Sequence, residues 1–449
     1  MSSHSPSAPA PIAPNTHPLL ALYRRTPLYV RIMISLVIGV ITGLSLGSHI
    51  HTHVVKDLVI PNLKALSGVV LQLLRLLATP LIFIAVAHAL LKAKVSGKTA
   101  GRLAYLLLSN TTAAIIIGLI VVNIIQPGRH AHLAPPHVDL SAKAFDPAHD
   151  LLDKVPANLI DPFQQNEIIS IIILAVSFAL AMRIVRERQI AEGKTGYVGV
   201  ENALDIGFIL VMVMLHWIFD LVPLAVFAVV ARTVATTGVG PLLSMGTFVL
   251  CVLLALGLQS IFYLIRLRFG SWVRPLPFLR GATDALTMAF STASSAATLP
   301  VTYASVKDKI GVREESAGLG VMVGGTFNHD GTALYEAMTA LFIAQAIGLH
   351  LGLEQQIIVV LMAIVASVGA AGIPEAGLVT MLAVFSAVNL PVEYIPLLLP
   401  LDWFLDRCRT AINVMGDMTV TCLLDGKEKD TTPDAGDEEP LPDLAAAIA

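Results

Sequence analysis

Charge is scarce in this sequence. Asp, Glu, Lys and Arg make up 14% of its 449 residues, where a soluble domain carries about a quarter. The chain therefore lacks the material for a water-facing surface over most of its length. Its net charge of −3 argues against a nucleic-acid partner. Cysteine is nearly absent. Cys251, Cys408 and Cys422 fall within or beside apolar segments, without metal-ligand spacing, and read as small core residues. What remains is 55% hydrophobic, with a mean hydropathy of +0.76, drawn out in long apolar runs. That composition describes a polytopic membrane protein whose solvent is the lipid bilayer.

Runs long enough to span, about 20 residues, begin near Leu28, Leu63, Leu103, Ile168, Leu204 and Leu242. Others begin near Gly318, Ile357 and Ile395. Basic residues orient them, because cytoplasmic loops are enriched in Lys and Arg. Arg24, Arg25 and Arg31 place the N-terminus inside, and Lys92, Lys94, Lys98 and Arg102 place the second loop inside. The loop from Pro127 to about Leu151 holds only Arg129 and Lys143 and falls outside. Arg183, Arg186, Arg188 and Lys194 return the chain to the cytoplasm, as do Arg266, Arg268, Arg274 and Arg280. Both termini are expected inside. Residues 1–26, rich in Pro, Ser and Ala, and the acidic residues 426–449 are expected to be disordered tails. A cleaved signal peptide would set a basic start before a short apolar core; here a long tail precedes a run of full spanning length.

Alternation then fails in an informative way. The segment Gly281–Ser305 has basic clusters at both ends, and its middle, "STASSAATLP", is small and hydroxyl-rich. Such backbone is tolerated at membrane depth only when surrounded by protein or a water-filled cavity, so a re-entrant hairpin is predicted. The run through Asn328 crosses outward. The segment Ile357–Asn389, broken at "SVGAAGIPEAG" and lacking Lys or Arg at either end, is a second hairpin entering from the opposite face. A last helix runs inward to Lys427 and Lys429. The predicted fold is all-α, with eight transmembrane helices and two re-entrant helical hairpins of opposite orientation. Two interrupted segments entering from opposite sides mark an inverted-repeat transporter with its site at the midplane.

Polar residues inside the bilayer locate that site. An Asp or Arg at a helix centre costs about 2.5–3.5 kcal/mol on insertion scales and needs a partner or a function. Asp406, Arg409, Asn413 and Asp417 lie three or four residues apart, on one face of the last helix with Thr410 beside them. They form either a ladder of internal ion pairs or a site for a ligand bearing carboxylate and ammonium groups. In "TFNHDGTALYEA" (326–337), Asn328 and Asp330 offer oxygen to a hard cation, supplemented by carbonyls freed by unwinding at Gly324, Gly325 and Gly331. Asp330 reads otherwise as an ion-paired or capping acid. Glu336 at this depth is expected to favour its protonated form and to carry a proton, or simply to be paired. His329 reads as a hydrogen-bonded core residue or as a titrating group. Ser294 and Ser295 aim hydroxyls or N–H groups at an anion, or pack helices. Gly369, Gly372, Pro374 and Gly377 permit an open turn, as a gate needs or as close helix packing needs.

The stretches "SSAATLPVT", "NHDGTALYEA…FIAQ", "GAAGIPEAGLVTM" and "DWFLDRCRTAINVMGD" resemble the excitatory amino-acid transporters of the dicarboxylate/amino acid:cation symporter family. The resemblance is densest from Gly281 to Asp425 and reaches back to Leu28. It implies a homotrimer in the plasma (inner) membrane, with a scaffold at residues 27–93 and 151–240. An elevator-like transport domain would occupy 94–150, with its extracellular loop, and 241–425. It implies Arg409 as clamp for the substrate's side-chain carboxylate and Asp406 for its amino group. Asn413, Thr332, Thr410, Ser294, Ser295, Gly372 and Ile373 would complete the pocket. Coupling would involve Glu336, His329 and Arg407. Cations would be held by Asn110, Thr111, Gly324, Thr326, Asn328, Asp330, Ser367, Val368, Ala370, Asn413 and Asp417, with sodium the favoured ion and no further cofactor.

The sequence departs from the family pattern at telling positions. His329 replaces a usual Met, Ala370 a frequent Thr, Leu107 a frequent Tyr, and Asn110 and Thr111 stand where hydroxyl residues assist an ion. The expected function is import of glutamate or aspartate by cation-coupled symport. The alternative is a proton-coupled or sodium-independent carrier of acidic amino acids or dicarboxylates, with an anion channel more remote. An intramembrane enzyme built on Ser295, His329 and Asp330 lacks a nucleophile motif.

Overall fold

The computed structural model describes residues 26–92, 97–131, 133, 155–165, 167–369 and 377–428. All regular structure among these residues is helical. In chain order the longer helices are α1 (Leu28–Gly47), α2 (Ile60–Lys92), α3 (Gly97–Ile125), α4 (Ile168–Ala191), α5 (Gly196–Phe219), α6 (Val222–Thr237) and α7 (Gly240–Gly270). There follow α8 (Pro275–Thr292), α9 (Ser295–Ala304), α10 (Glu314–Phe327), α11 (Asp330–Ala346), α12 (Leu353–Gly369), α13 (Gly377–Ala387) and α14 (Ile395–Asp425). Five described helical stretches are long and apolar enough to cross a membrane: Leu28–Gly47, Val55–His88, Gly101–Ile125, Gly196–Phe219 and Gly240–Gly270. The chain is a multi-pass membrane protein.

The apolar run from Leu204 was expected to be one span. It is two helices, because Asp220 and Leu221 interrupt it and Pro223, lacking an N–H, suits the first turn of α6. Helix α1 packs on α6 and α2 packs on α4, α5 and α6. The α1–α6 seam is close. A Cβ on Gly43 would lie 2.6 Å from Val234 Cβ and 2.8 Å from the Ala231 carbonyl oxygen, the small-residue contact that substitutes for hydrophobic driving force in lipid.

A second group gathers around α14, which touches α7, α8, α10 and α11, while α3 lies against α11 and α7. Two pairs fold back on themselves here. Helices α8 and α9 meet at a tight turn in which Ala293 adopts a left-handed φ of 52°. Ser294 caps α9 by accepting the Ala297 N–H at 3.2 Å. Helices α12 and α13 form the second pair; the residues between them, 370–376, lie outside those described.

Between α10 and α11 the helix opens at Asn328 (φ −99°, ψ 90°) and His329 (φ −117°, ψ 54°). Unwinding had been expected at Gly324, Gly325 and Gly331, yet all three are helical. Gly331 serves close approach instead: a Cβ there would lie 2.7 Å from the Arg409 carbonyl oxygen. The break in α10–α11 is thus pressed onto the middle of α14.

Candidate functional site

Helix α14 carries one polar stripe through a buried environment. Asp402, Asp406, Arg409, Asn413 and Asp417 follow at helical spacing. Arg409 is 0% exposed. Its Nη2 donates to Asp406 Oδ1 at 2.7 Å and pairs with Asp402 Oδ1 at 3.1 Å. The guanidinium carbon sits 4.1 Å from the centroid of the Tyr335 ring on α11, a cation–π contact that gains strength where water is excluded. A Cβ on Gly377, the first residue of α13, would stand 3.3 Å from Nη1. The guanidinium therefore lies between α14, α11 and the second hairpin. Its Nε and Nη1 have no hydrogen-bond partner among the described residues. A buried cation with donors still open fits a planar anion.

One turn toward the C-terminus a second cluster forms. Asn413 accepts the Gly331 N–H through Oδ1 at 2.8 Å and donates to Thr332 Oγ1 at 3.3 Å. Asn328 donates through Nδ2 to Asp417 Oδ1 at 3.0 Å and to the Asn413 carbonyl at 3.3 Å. Asn328 Oδ1 is a buried acceptor without a partner among the described residues. Asp330 accepts from Thr111 Oγ1 at 2.5 Å and from the Tyr263 hydroxyl on α7. Gly416 allows this crowding, since its Cβ would fall 2.5 Å from Asn328 Nδ2 and 2.8 Å from the Tyr263 hydroxyl. Asp417 also lies against Gly324, where a Cβ would meet Oδ1 at 3.0 Å. Buried carboxylate, amide and carbonyl oxygens converge here, the chemistry that suits a hard cation.

The remaining expected residues divide between these clusters and other places. Glu336 is buried on α11, its Oε1 accepting from Thr380 Oγ1 on α13, with Arg409 and Asp402 as its charged neighbours. Arg407, grouped with it in the sequence, faces the other way. It donates to the carbonyls of Phe290 (2.9 Å) and Ser291 at the end of α8 and stacks on Trp403 at 5.0 Å. Stepping one residue along α14 from Asp406 turns a side chain by about 100°, which explains the difference. His329 is buried beside the Ser367 backbone, and neither ring nitrogen makes a well-formed hydrogen bond among the described residues. Ser367 hydroxyl bonds Ile364 O at 2.8 Å. Thr410 bonds the Asp406 carbonyl at 2.8 Å, and Thr326 the Met322 carbonyl at 2.9 Å. Ser294 serves as cap, and Ser295 is buried in the first turn of α9. Val368 and Gly369 end α12. Ala370, Gly372, Ile373 and Pro374 lie outside the described residues.

Several site residues carry no mark in the pattern that singled out the others. Asp402 is the stripe extended by one turn, so its spacing from Asp406 was available. Tyr335 and Thr380 reach the site only through packing between helices, as do Gln259, Tyr263 and Arg266 on α7. A cavity of about 170 Å³ opens beside Asp402 and Asp406 and is walled by Thr292 and Ala293 of the first hairpin and by Tyr29 and Ile32 of α1. A larger one, about 440 Å³, lies away from both clusters between Asn123, Arg129 and His350.

The sodium:dicarboxylate symporter family model matches residues 28–427, which includes every helix above. The chain belongs to that family. The site of this symporter-family member thus falls wholly inside the matched region. The chain is 32% identical over 411 residues to the C4-dicarboxylate transport protein of Rhodospirillum rubrum, covering 88% of this chain and 87% of that one. It is 31% identical over 421 residues to the protein of the same name from Bordetella avium, covering 88% of each. With that of Azorhizobium caulinodans it shares 30% over 433 residues, 94% of this chain and 92% of the other. Membership makes it a transporter rather than an enzyme.

Proposed function

We propose that this chain is a secondary active transporter of small dicarboxylate anions, driven by a co-transported cation. The observation that carries this is Arg409, a fully buried guanidinium held by Asp402, Asp406 and Tyr335 with Nε and Nη1 still open. A substrate carboxylate would take those open donors, while the second hairpin at Gly377 closes over it. That three relatives bear the name of C4-dicarboxylate transport proteins supports a dicarboxylate cargo ahead of the acidic amino acid first expected.

Asp406 supports a second reading, in which the cargo also bears an ammonium group, as aspartate does. Its carboxylate shares Arg409 and borders the 170 Å³ cavity, so an ammonium there would meet an anion already in place. Uptake of labelled succinate and labelled aspartate into proteoliposomes, each with the other as competitor, separates the two readings.

The same proposal takes Asn328, Asn413 and Asp417 as ligands for the driving cation, sodium being favoured and a proton the alternative. Glu336 is proposed as the group that carries a proton. The packing of α1, α2, α4, α5 and α6 among themselves, and of α3, α7–α11 and α14 around the polar stripe, supports a scaffold and a transport domain. Their movement as an elevator, the homotrimer, the second hairpin as gate and cytoplasmic termini belong to this proposal too.

A further inference from the structure

Helix α7 has a polar face that transport of an anion does not explain. Gln259, Tyr263 and Arg266 stand four and three residues apart, on one side of a mostly apolar helix. Their partners form a single oxygen cluster. Arg266 Nη1 donates to the side-chain oxygen of Asn110 and to Ser109 Oγ at 3.0 Å. Gln259 Nε2 donates to the Asn110 carbonyl at 3.3 Å, Tyr263 to Asp330 Oδ2, and Thr111 to Asp330 Oδ1 at 2.5 Å. Asn110, Thr111 and Asp330 are all buried.

Carboxylate, hydroxyl, amide and carbonyl oxygens gathered around one buried point are the donor set of a hard cation. Here one of those oxygens, on the Asn110 side chain, already faces a positive charge. Arg266 lies four residues before the end of α7, close enough that an arginine in a spanning helix ordinarily snorkels toward water. It turns inward instead, fixes the Asn110 amide with its oxygen toward the guanidinium, and acts electrostatically on Asp330. The buried carboxylate of the neighbouring cluster, Asp417, meets only the neutral amide of Asn328 among the hydrogen bonds described.

We propose that Arg266 is a tethered counter-ion: its guanidinium takes up the Asn110 side-chain oxygen that, with Thr111 and Asp330, would otherwise hold a dissolved cation. One ion position is thereby built into the protein, and each transport cycle takes up one free cation fewer than the same oxygens would bind without it. The remaining free position is the one bounded by Asn328 and Asp417. This deepens the proposed cation-coupled transport and rests on it.

The test is a count of radioactive sodium bound at saturation to the purified full-length chain, with no dicarboxylate present. Wild type is compared with Arg266→Met, Arg266→Gln and Arg266→Lys, each checked for a monodisperse folded state. Gln keeps an N–H donor while removing the charge. The expected result is one more sodium per chain in the two neutral variants than in wild type, with Lys at the wild-type count. Equal counts in wild type and the neutral variants would overturn the proposal. So would failure of both neutral variants to fold while Lys folds, which would make Arg266 a structural cation only. Because the count needs no substrate, its outcome is distinct from that of an uptake assay for the cargo.

Discussion

Arg409 lies 4.1 Å over the ring of Tyr335, so the buried cation of α14 rests on a residue of α11, between one and two turns beyond the break at Asn328 and His329. The helix break and the charged stripe are thereby joined into one site. Tyr335 sits between Leu334, which packs in the apolar core, and Glu336, which bonds Thr380. Three consecutive side chains of α11 thus serve packing, the guanidinium and the second hairpin.

Arg409→Ala should abolish uptake of labelled dicarboxylate and acidic amino acid alike. Arg409→Lys should reduce it at least about tenfold, because an ammonium loses the planar fork that meets a carboxylate with two N–H groups. Wild-type uptake in either variant would remove Arg409 from the pocket.

Asp406 and Asp402 should separate by phenotype. Asp406→Ser should cut aspartate uptake more than succinate uptake, since only aspartate needs an anion for its ammonium group. Asp402→Asn should lower stability, because removing one partner of a buried ion pair costs up to about 3–5 kcal/mol; Asp406 still pairs with Arg409, so the loss should fall below that range. Thermal unfolding of the purified protein reads the second effect, and competition uptake the first.

Gly331→Ala should prevent folding. Its Cβ would lie 2.7 Å from the carbonyl oxygen and 3.0 Å from the Cα of Arg409, both backbone atoms that cannot swing aside. Gly246→Ala on α7, with nothing within 4 Å, should be neutral or stabilising by up to about 1 kcal/mol, the helix-propensity gain. Yield of monodisperse protein distinguishes them.

Arg407→Ala should loosen the first hairpin without touching the carboxylate pair at Arg409. Its two bonds satisfy the Phe290 and Ser291 carbonyls at the end of α8, the orphan acceptors of a helix C-terminus. Faster amide exchange confined to residues around 288–297 is the expected result. Unchanged exchange there would contradict it.

The helical character, the two folded-back segments and the stripe Asp406–Asp417 were legible in the sequence, because hydropathy, helix-breaking residues and a 3.6-residue period are local properties. The break at Asn328–His329 was placed instead at neighbouring glycines. Glycine was read for flexibility, whereas Gly331 and Gly416 are needed for contact with side chains and backbone distant in sequence. Arg266 was counted as a loop-facing charge because position near a helix end says nothing of which way a side chain turns. Tyr335 and Thr380 were silent for a similar reason: a tyrosine or threonine in an apolar helix gains meaning only from the helix packed against it.

The measurement that bears most directly on the proposed function is uptake of labelled succinate into proteoliposomes of the purified chain, with sodium and proton gradients imposed separately. Accumulation above the external concentration under one of those gradients, lost when the gradient is dissipated and absent in Arg409→Ala, is the expected result. Succinate that merely equilibrates across the membrane whichever gradient is imposed, or that does not enter at all, would contradict cation-coupled dicarboxylate transport.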